Sequence, residues 1–319
     1  MLLEIENLSV RIGTVQPLEG VSFAVDRGEI LGLVGESGSG KSLTALAMTG
    51  LLPLIGGAVS AGAVRFEGQN IARLPAAALR ALRGRRIGFI SQNPMTAMDP
   101  VQRIGAQVDV VSRLHLGLTR TQARARTVEL LTQLRIPDAE AACDAYPHEL
   151  SGGMKQRIVI AMALAGAPDL IVADEPTTAL DVTVQAQIIH ILAGLVRERG
   201  LGLVLITHDM GVVAQVCDRV AVLYAGRLAE ARTVGALFTA PAHPYSRALI
   251  DCIPREGMAT GALTGIPGAV PSVAAYPAGC RFHPRCARAT PVCATQVPPL
   301  VPLGAGTAAC HNPLEMPYG

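Results

Sequence analysis

The sequence has almost no excess charge of either sign: 27 Lys plus Arg stand against 25 Asp plus Glu, a formal net charge of +2 over 319 residues. A balance that small gives no electrostatic argument for nucleic acid or anionic lipid as the main partner. Long apolar runs are also missing. Stretches such as 158–168 fall well short of the ~20 residues that cross a bilayer, so no spanning segment is expected. Met1-Leu2-Leu3-Glu4-Ile5-Glu6 carries acids rather than a basic stretch leading into an apolar core, which excludes a secretory signal there and points to the cytoplasm. No internal repeat of fixed period is visible. Cysteine is sparse until the end: Cys143, Cys217 and Cys252 read as reduced, buried, small apolar residues, while the other four lie beyond residue 279.

Half of the residues are apolar, enough for a sizeable core. Short apolar runs at Glu29–Val34, Ile87–Ile90, Leu170–Ala173 and Leu203–Thr207, each ended by Gly or polar loops, alternate with helical patterns. That is α/β patterning with a mainly parallel sheet. Between the second and third runs, about residues 93–168, no strand is evident and Arg113–Leu134 has helical spacing, so a helical insertion is expected. From Ile253 to Gly279 the chain is rich in Pro, Gly and Ala, the texture of an irregular connector. A boundary near Arg255 therefore divides residues 1–254 from a tail of 255–319.

Three motifs carry chemistry. Gly35-Glu36-Ser37-Gly38-Ser39-Gly40-Lys41-Ser42 follows the strand ending at Val34 and precedes the helical stretch from Leu43 to Leu52, the context of a phosphate-binding P-loop. Its glycines let backbone N–H groups turn around phosphates at a helix N-terminus, Lys41 reaches the outer phosphates, and the Ser42 hydroxyl can ligate Mg²⁺. Leu170-Ile171-Val172-Ala173-Asp174-Glu175 delivers two carboxylates at the C-terminal end of a strand, where open α/β sheets bind ligands. Asp174 can hold Mg²⁺ through water, and Glu175 can take the proton of a water attacking a γ-phosphate. Leu150-Ser151-Gly152-Gly153-Met154 opens the helical run Lys155–Ala165, a ready anion site, although Ser-Gly-Gly alone is an ordinary cap and turn.

The order of these motifs, with Gln92 after the strand Ile87–Ile90, Ala179-Leu180-Asp181 after the carboxylates and His208 beyond, resembles the nucleotide-binding domain of ABC ATPases over about residues 1–250. The resemblance implies an ABC-type α/β fold: a P-loop core with a parallel or mixed sheet, a helical subdomain, and two such domains closing head to tail on two ATP molecules. Leu150, Ser151, Gly152, Gly153 and Met154 of one subunit would then face the ATP held by the other's P-loop. It further implies that Gln92 touches Mg²⁺ and the attacking water, that Asp181 crosses to the partner, and that His208 hydrogen-bonds the γ-phosphate. The aromatic that stacks on adenine in many relatives is absent near Arg11–Val15, which leaves Ile12 as the expected occupant beside Leu43.

Within the family, Asn93-Pro94-Met95-Thr96-Ala97-Met98-Asp99-Pro100, Tyr146-Pro147-His148-Glu149, Met154 and His243-Pro244-Tyr245-Ser246 look like the oligopeptide and dipeptide importer ATPases. So does Gly265-Ile266-Pro267-Gly268-Ala269-Val270-Pro271 ahead of Cys280, Cys286, Cys293 and Cys310. Four thiolates can hold zinc or a [4Fe–4S] cluster. With no Cys-x-x-Cys knuckle, iron–sulfur is the expectation and zinc the alternative, with His283 and His311 as possible substitute ligands. Unligated thiols and two disulfides remain open, and the default role for a cluster is a staple pinning an irregular tail to the partner ATPase.

The resulting expectation is an ATP-hydrolysing subunit, peripheral on the cytoplasmic face of a bacterial membrane, that energises a peptide importer. Its partners would be a second, different ATPase chain, two transmembrane permeases and an extracytoplasmic substrate-binding protein, with no nucleic acid. The rivals are the same role for nickel, glutathione or another small solute, a soluble ABC ATPase outside transport, and a regulatory metal-binding module.

Overall fold

The computed structural model of the chain describes residues 1–177, 181–254 and 265–314. Ala179, Leu180 and the boundary near Arg255 lie outside them. Among the described residues an eight-stranded sheet forms the centre. Its heart is β3 (Ile30–Val34), β8 (Gly202–Thr207), β7 (Leu170–Asp174) and β6 (Ile87–Ile90), all parallel, with β9 (Arg219–Tyr224) parallel on the other side of β3. These strands read as continuous apolar runs because both faces are covered: every residue of β3, β7 and β8 is buried. Alternation of side chains then deals them to two cores. Ile171, Ala173, Leu203 and Leu205 join the helices on one face, and Val172, Val204 and Ile206 join the other.

That second core is closed by an antiparallel sheet of β1 (Leu3–Ile12), β2 (Val15–Val25), β4 (Gly57–Phe66) and β5 (Gln69–Asn70), which no single run in the sequence had announced. The helical insertion is present as the helices Pro94–Ala97, Ile104–Leu116, Arg120–Gln133, Ala139–Asp144 and Gly152–Ala165. Arg113–Leu134 is not one helix. Gly117, at φ 69°, ends the first in the left-handed conformation, and Thr119 starts the next with a capping box to Gln122. No helix among the described residues is long and apolar enough to cross a membrane.

The described tail, 265–314, carries regular structure. It docks on its own chain: β12 (Gly306–Ala308) pairs antiparallel with β10 (Arg227–Thr233), which pairs with β9, and β11 (Val301–Leu303) pairs with β12. Phe282 is buried against Tyr224 and Tyr245, at ring distances of 5.1 and 5.2 Å. A segment too poor in apolar side chains to build a core of its own has joined the existing one.

Candidate functional site

β3 delivers the chain at Val34 into a loop that only particular glycines permit. Gly35 lies at φ +149°, and a Cβ there would stand 2.2 Å from the Leu223 carbonyl oxygen. The loop leads into the helix Lys41–Met48, whose free N–H groups face the cavity at its N-terminus. Lys41 is buried, its Nζ donating to the carbonyls of Gly35 (2.8 Å) and Glu36 (3.1 Å). Burial pushes its pKa down, opposed by the charges of Glu175, Asp174 and Glu36. One residue on, Ser42 Oγ donates to Asp174 Oδ1 at 3.2 Å. Burial pushes the Asp174 carboxyl up, Glu175 adds to this, and the Ser42 bond and Lys41 oppose it.

Three neighbouring parallel strands end side by side next to this loop, and each contributes one group. Gln92 follows β6, Glu175 follows β7 and His208 follows β8. Gln92 Nε2 donates to Glu175 Oε2 at 3.0 Å, and His208 Nδ1 lies 3.5 Å from Glu175 Oε1. Glu175 has φ +47°, a conformation that costs a non-glycine residue about 1–3 kcal/mol, and its N–H donates to the Ile206 carbonyl at 3.0 Å. The strained backbone aims the carboxylate between the other two groups. Lys41, Ser42, Gln92, Glu175 and His208 border one cavity of about 1010 Å³, and Asp174 is joined to it through Ser42. Backbone N–H groups and an ammonium at one wall, with a carboxylate, an amide and an imidazole opposite, can cradle a polyphosphate and place a proton acceptor beside its end.

The P-loop is braced from behind by residues whose roles no motif revealed. The Glu36 N–H donates to Tyr245 Oη at 2.8 Å, and the Glu36 carboxylate accepts from both Arg285 Nη atoms, at 2.7 and 2.9 Å. His243 accepts the Tyr245 N–H on Nδ1 (3.0 Å), capping the helix Pro244–Asp251. The run His243-Pro244-Tyr245-Ser246, visible in the sequence only as a branch marker, thus positions a hydroxyl on the P-loop.

Ile12 is not among the residues lining the cavity; its side chain lies beside Gly57. The apolar lining comes instead from Pro17, Leu43, Ala269, Val270 and Val273. Leu150–Met154 and Asp181 do not line it either. Ser151 Oγ accepts the Met154 N–H (3.3 Å) to cap the helix Gly152–Ala165, and Asp181 Oδ1 accepts the Val184 N–H (2.9 Å) to cap the helix Val182–Arg199. Gly153 is required where these helices meet: a Cβ would stand 2.8 Å from Val184 Cγ1.

In the tail, Cys280, Cys286, Cys293 and Cys310 converge. The Cys280 N–H donates to the Cys293 carbonyl at 2.8 Å, and burial together with the other three thiols pushes Cys310 up to about 11. Backbone N–H groups of Phe282 and His283 point at the Cys280 sulfur, that of Arg288 at Cys286 and that of Asn312 at Cys310. Such amide bonds favour the thiolate, but burial outweighs them and pushes the Cys280, Cys286 and Cys310 thiols up. Among the described residues, no three His, Cys, Asp or Glu side chains are grouped closely enough to hold a single metal ion. His283 Nδ1 and His311 Nε2 are each engaged by a backbone carbonyl, of Cys280 (2.8 Å) and Gln296 (3.0 Å).

Comparison with known proteins agrees with this geometry. Residues 18–178 match the family described as ABC transporter, and residues 229–293 match the oligopeptide/dipeptide transporter C-terminal region. The dipeptide transport ATP-binding protein DppD of Escherichia coli is 42% identical over 98% of this chain and 97% of its own length. The oligopeptide transport ATP-binding protein OppD of Salmonella typhimurium is 44% identical over 99% and 95%. Among solved structures, the dimeric MJ0796, a bacterial ABC transporter cassette, superposes with a TM-score of 0.65 at 27% identity, over 73% of this chain and 98% of that one.

Proposed function

The chain belongs to the ABC transporter family, among the ATP-binding subunits of oligopeptide and dipeptide importers, and from that premise we propose how its residues divide the work. It hydrolyses ATP and thereby energises peptide import through membrane permeases. The observation that carries the assignment of roles is the meeting of Lys41, Ser42 and the Gln92–Glu175–His208 set around one cavity, with Asp174 bonded to Ser42.

In this reading the P-loop from Gly35 to Ser42 and the helix behind it bind the phosphates, and Lys41 exchanges its loop carbonyls for phosphate oxygens. Gln92 orients the attacking water and Glu175 accepts its proton at the carboxylate, while His208 hydrogen-bonds the γ-phosphate. Ser42, Asp174 and Gln92 hold Mg²⁺, which neutralises phosphate charge when bound. Leu150–Met154 and Asp181, which do not line their own chain's cavity, serve the ATP of a second ATPase subunit, a different chain, across a head-to-tail pair. The cassette is residues 1–254, its helical part 93–168 faces two permeases, and residues 255–319 form the extension. The assembly sits at the cytoplasmic face of the membrane and receives peptide from an extracytoplasmic binding protein.

Glu175→Gln tests the central role. ATP binding should persist and turnover should fall about 10²-fold or more, the usual contribution of a general base; near-normal turnover would remove Glu175 from that role. For the tail we propose that Cys280, Cys286, Cys293 and Cys310 hold a [4Fe–4S] cluster as a structural staple, with zinc as the alternative. Anaerobically purified protein should contain iron and acid-labile sulfide, both lost in Cys286→Ser. Zinc without sulfide would convert the site to a plain structural one, and no metal would end the proposal.

A further inference from the structure

The cavity has two unlike ends. Gln92, Glu175 and His208 stand at one, and at the other Pro17 meets Ala269, Val270 and Val273 of the tail. The tail is fastened there. Its short turn Val273–Ala275 packs on β2, where Pro17 lies, and Tyr276 Oη donates to the Pro17 carbonyl at 3.4 Å. Arg281 lies 3.9 Å from the Tyr276 ring centroid and pairs with Glu19, also on β2.

Between the two ends runs the P-loop, and the tail grips it as well. Arg285, only 5% exposed, spends all five of its N–H donors. Nε serves the Pro267 carbonyl (2.8 Å), Nη1 serves Glu36 and Tyr224 Oη (2.7 and 3.2 Å), and Nη2 serves Glu36 and the Ile266 carbonyl (2.9 and 3.0 Å). A carboxylate in a loop that must receive a polyanion opposes binding unless its charge is cancelled. The fork of Arg285 cancels it and fixes the loop, whose Glu36 carbonyl in turn holds Lys41.

We propose that the tail completes the nucleotide site: Ala269, Val270 and Val273, with Pro17, form the apolar subsite for the base, and Arg285 is a positioning residue that sets the P-loop through Glu36. This rests on the reading of the cavity as the ATP site. It supplies the apolar surface that the sequence had led us to seek at Ile12. Because Arg285 directly precedes Cys286, it also makes order in the cysteine-bearing segment a condition of tight nucleotide binding.

Calorimetry on the whole 319-residue chain with ADP and with inorganic pyrophosphate, which carries no base, separates the parts. Lys41→Ala controls the underlying reading: if it binds both probes as the unaltered chain does, the cavity is not the phosphate site and that reading falls. If Lys41→Ala weakens both, Val270→Ser with Val273→Ser should weaken ADP about tenfold and leave pyrophosphate unchanged, which also shows that the variant is folded. Unchanged ADP affinity overturns the base subsite. Arg285→Ala should weaken both probes about tenfold, and adding Glu36→Gln should restore them to within about twofold. A merely structural Arg285 would not be rescued by removing the Glu36 charge, so failure of rescue, or a loss confined to ADP, overturns the positioning role.

Discussion

β3, β7 and β8 are buried at every residue and are held by apolar contact on both faces, whereas the tail from 265 to 314 buries few apolar side chains, chiefly Phe282, Cys293 and Ala308. The tail is held instead by the backbone pairing of β12 with β10 and by arginines on carbonyls and carboxylates. Arg285 grips Glu36, Arg281 grips Glu19 and Ala225, Arg227 reaches the Gly279 carbonyl at 3.2 Å, and Arg232 reaches the Leu303 carbonyl at 3.2 Å. Apolar burial is non-directional and accumulates with area, so it builds the rigid centre. Directional bonds build little bulk stability but fix a few atoms in place, which suits a segment lying beside the nucleotide cavity.

Substitutions can test this contrast. Leu205→Ala, in the middle of β8 and fully buried, should cost about 2–5 kcal/mol of stability for the whole chain, read from denaturant unfolding. Phe282→Ala should act locally. Amides of 265–314 should lose about 10²-fold of their protection from hydrogen exchange, about 3 kcal/mol, while those of β3, β7 and β8 keep theirs. Equal loss in both regions would make tail and cassette one cooperative unit. The smallest effect concerns His243, which joins the two regions through its packing on Phe282 and is pushed by burial down to about 4. Its neutral form is favoured in the fold, so its contribution is complete above about pH 6.5 and is lost as the pH falls towards about 4, at most about 3 kcal/mol. His243→Asn retains an acceptor for the Tyr245 N–H, and its melting temperature should decline less between pH 7 and 5 than that of the unaltered chain.

The elements that the sequence shows clearly are those with local causes. The strands Ile87–Ile90 and Leu170–Asp174 are apolar runs bounded by polar or glycine-containing loops, and Gly35 betrays itself because no other residue tolerates its backbone. The break at Gly117 was missed because Leu114 to Leu116 continue a helical pattern that a left-handed glycine then stops. The antiparallel sheet was missed because β1 and β4 pair across more than forty intervening residues, whose register no local pattern states. At the site, Glu175 and His208 were each legible as strand-end residues. Their meeting with Gln92 follows from the strand order β8-β7-β6.

By itself the sequence determined the P-loop, the carboxylate strand, the helix caps and the alternation that splits the sheet's side chains between two cores. Each of these depends on residues a few positions apart, whose backbone preferences act before any tertiary contact forms. Tertiary structure alone decided that the tail folds back on its own cassette, that Val270 and Val273 line the cavity where Ile12 does not, and that Arg285 grips Glu36. Those partners stand 249 residues apart, and such a contact becomes favourable only after the sheet between them has brought the two ends of the chain together.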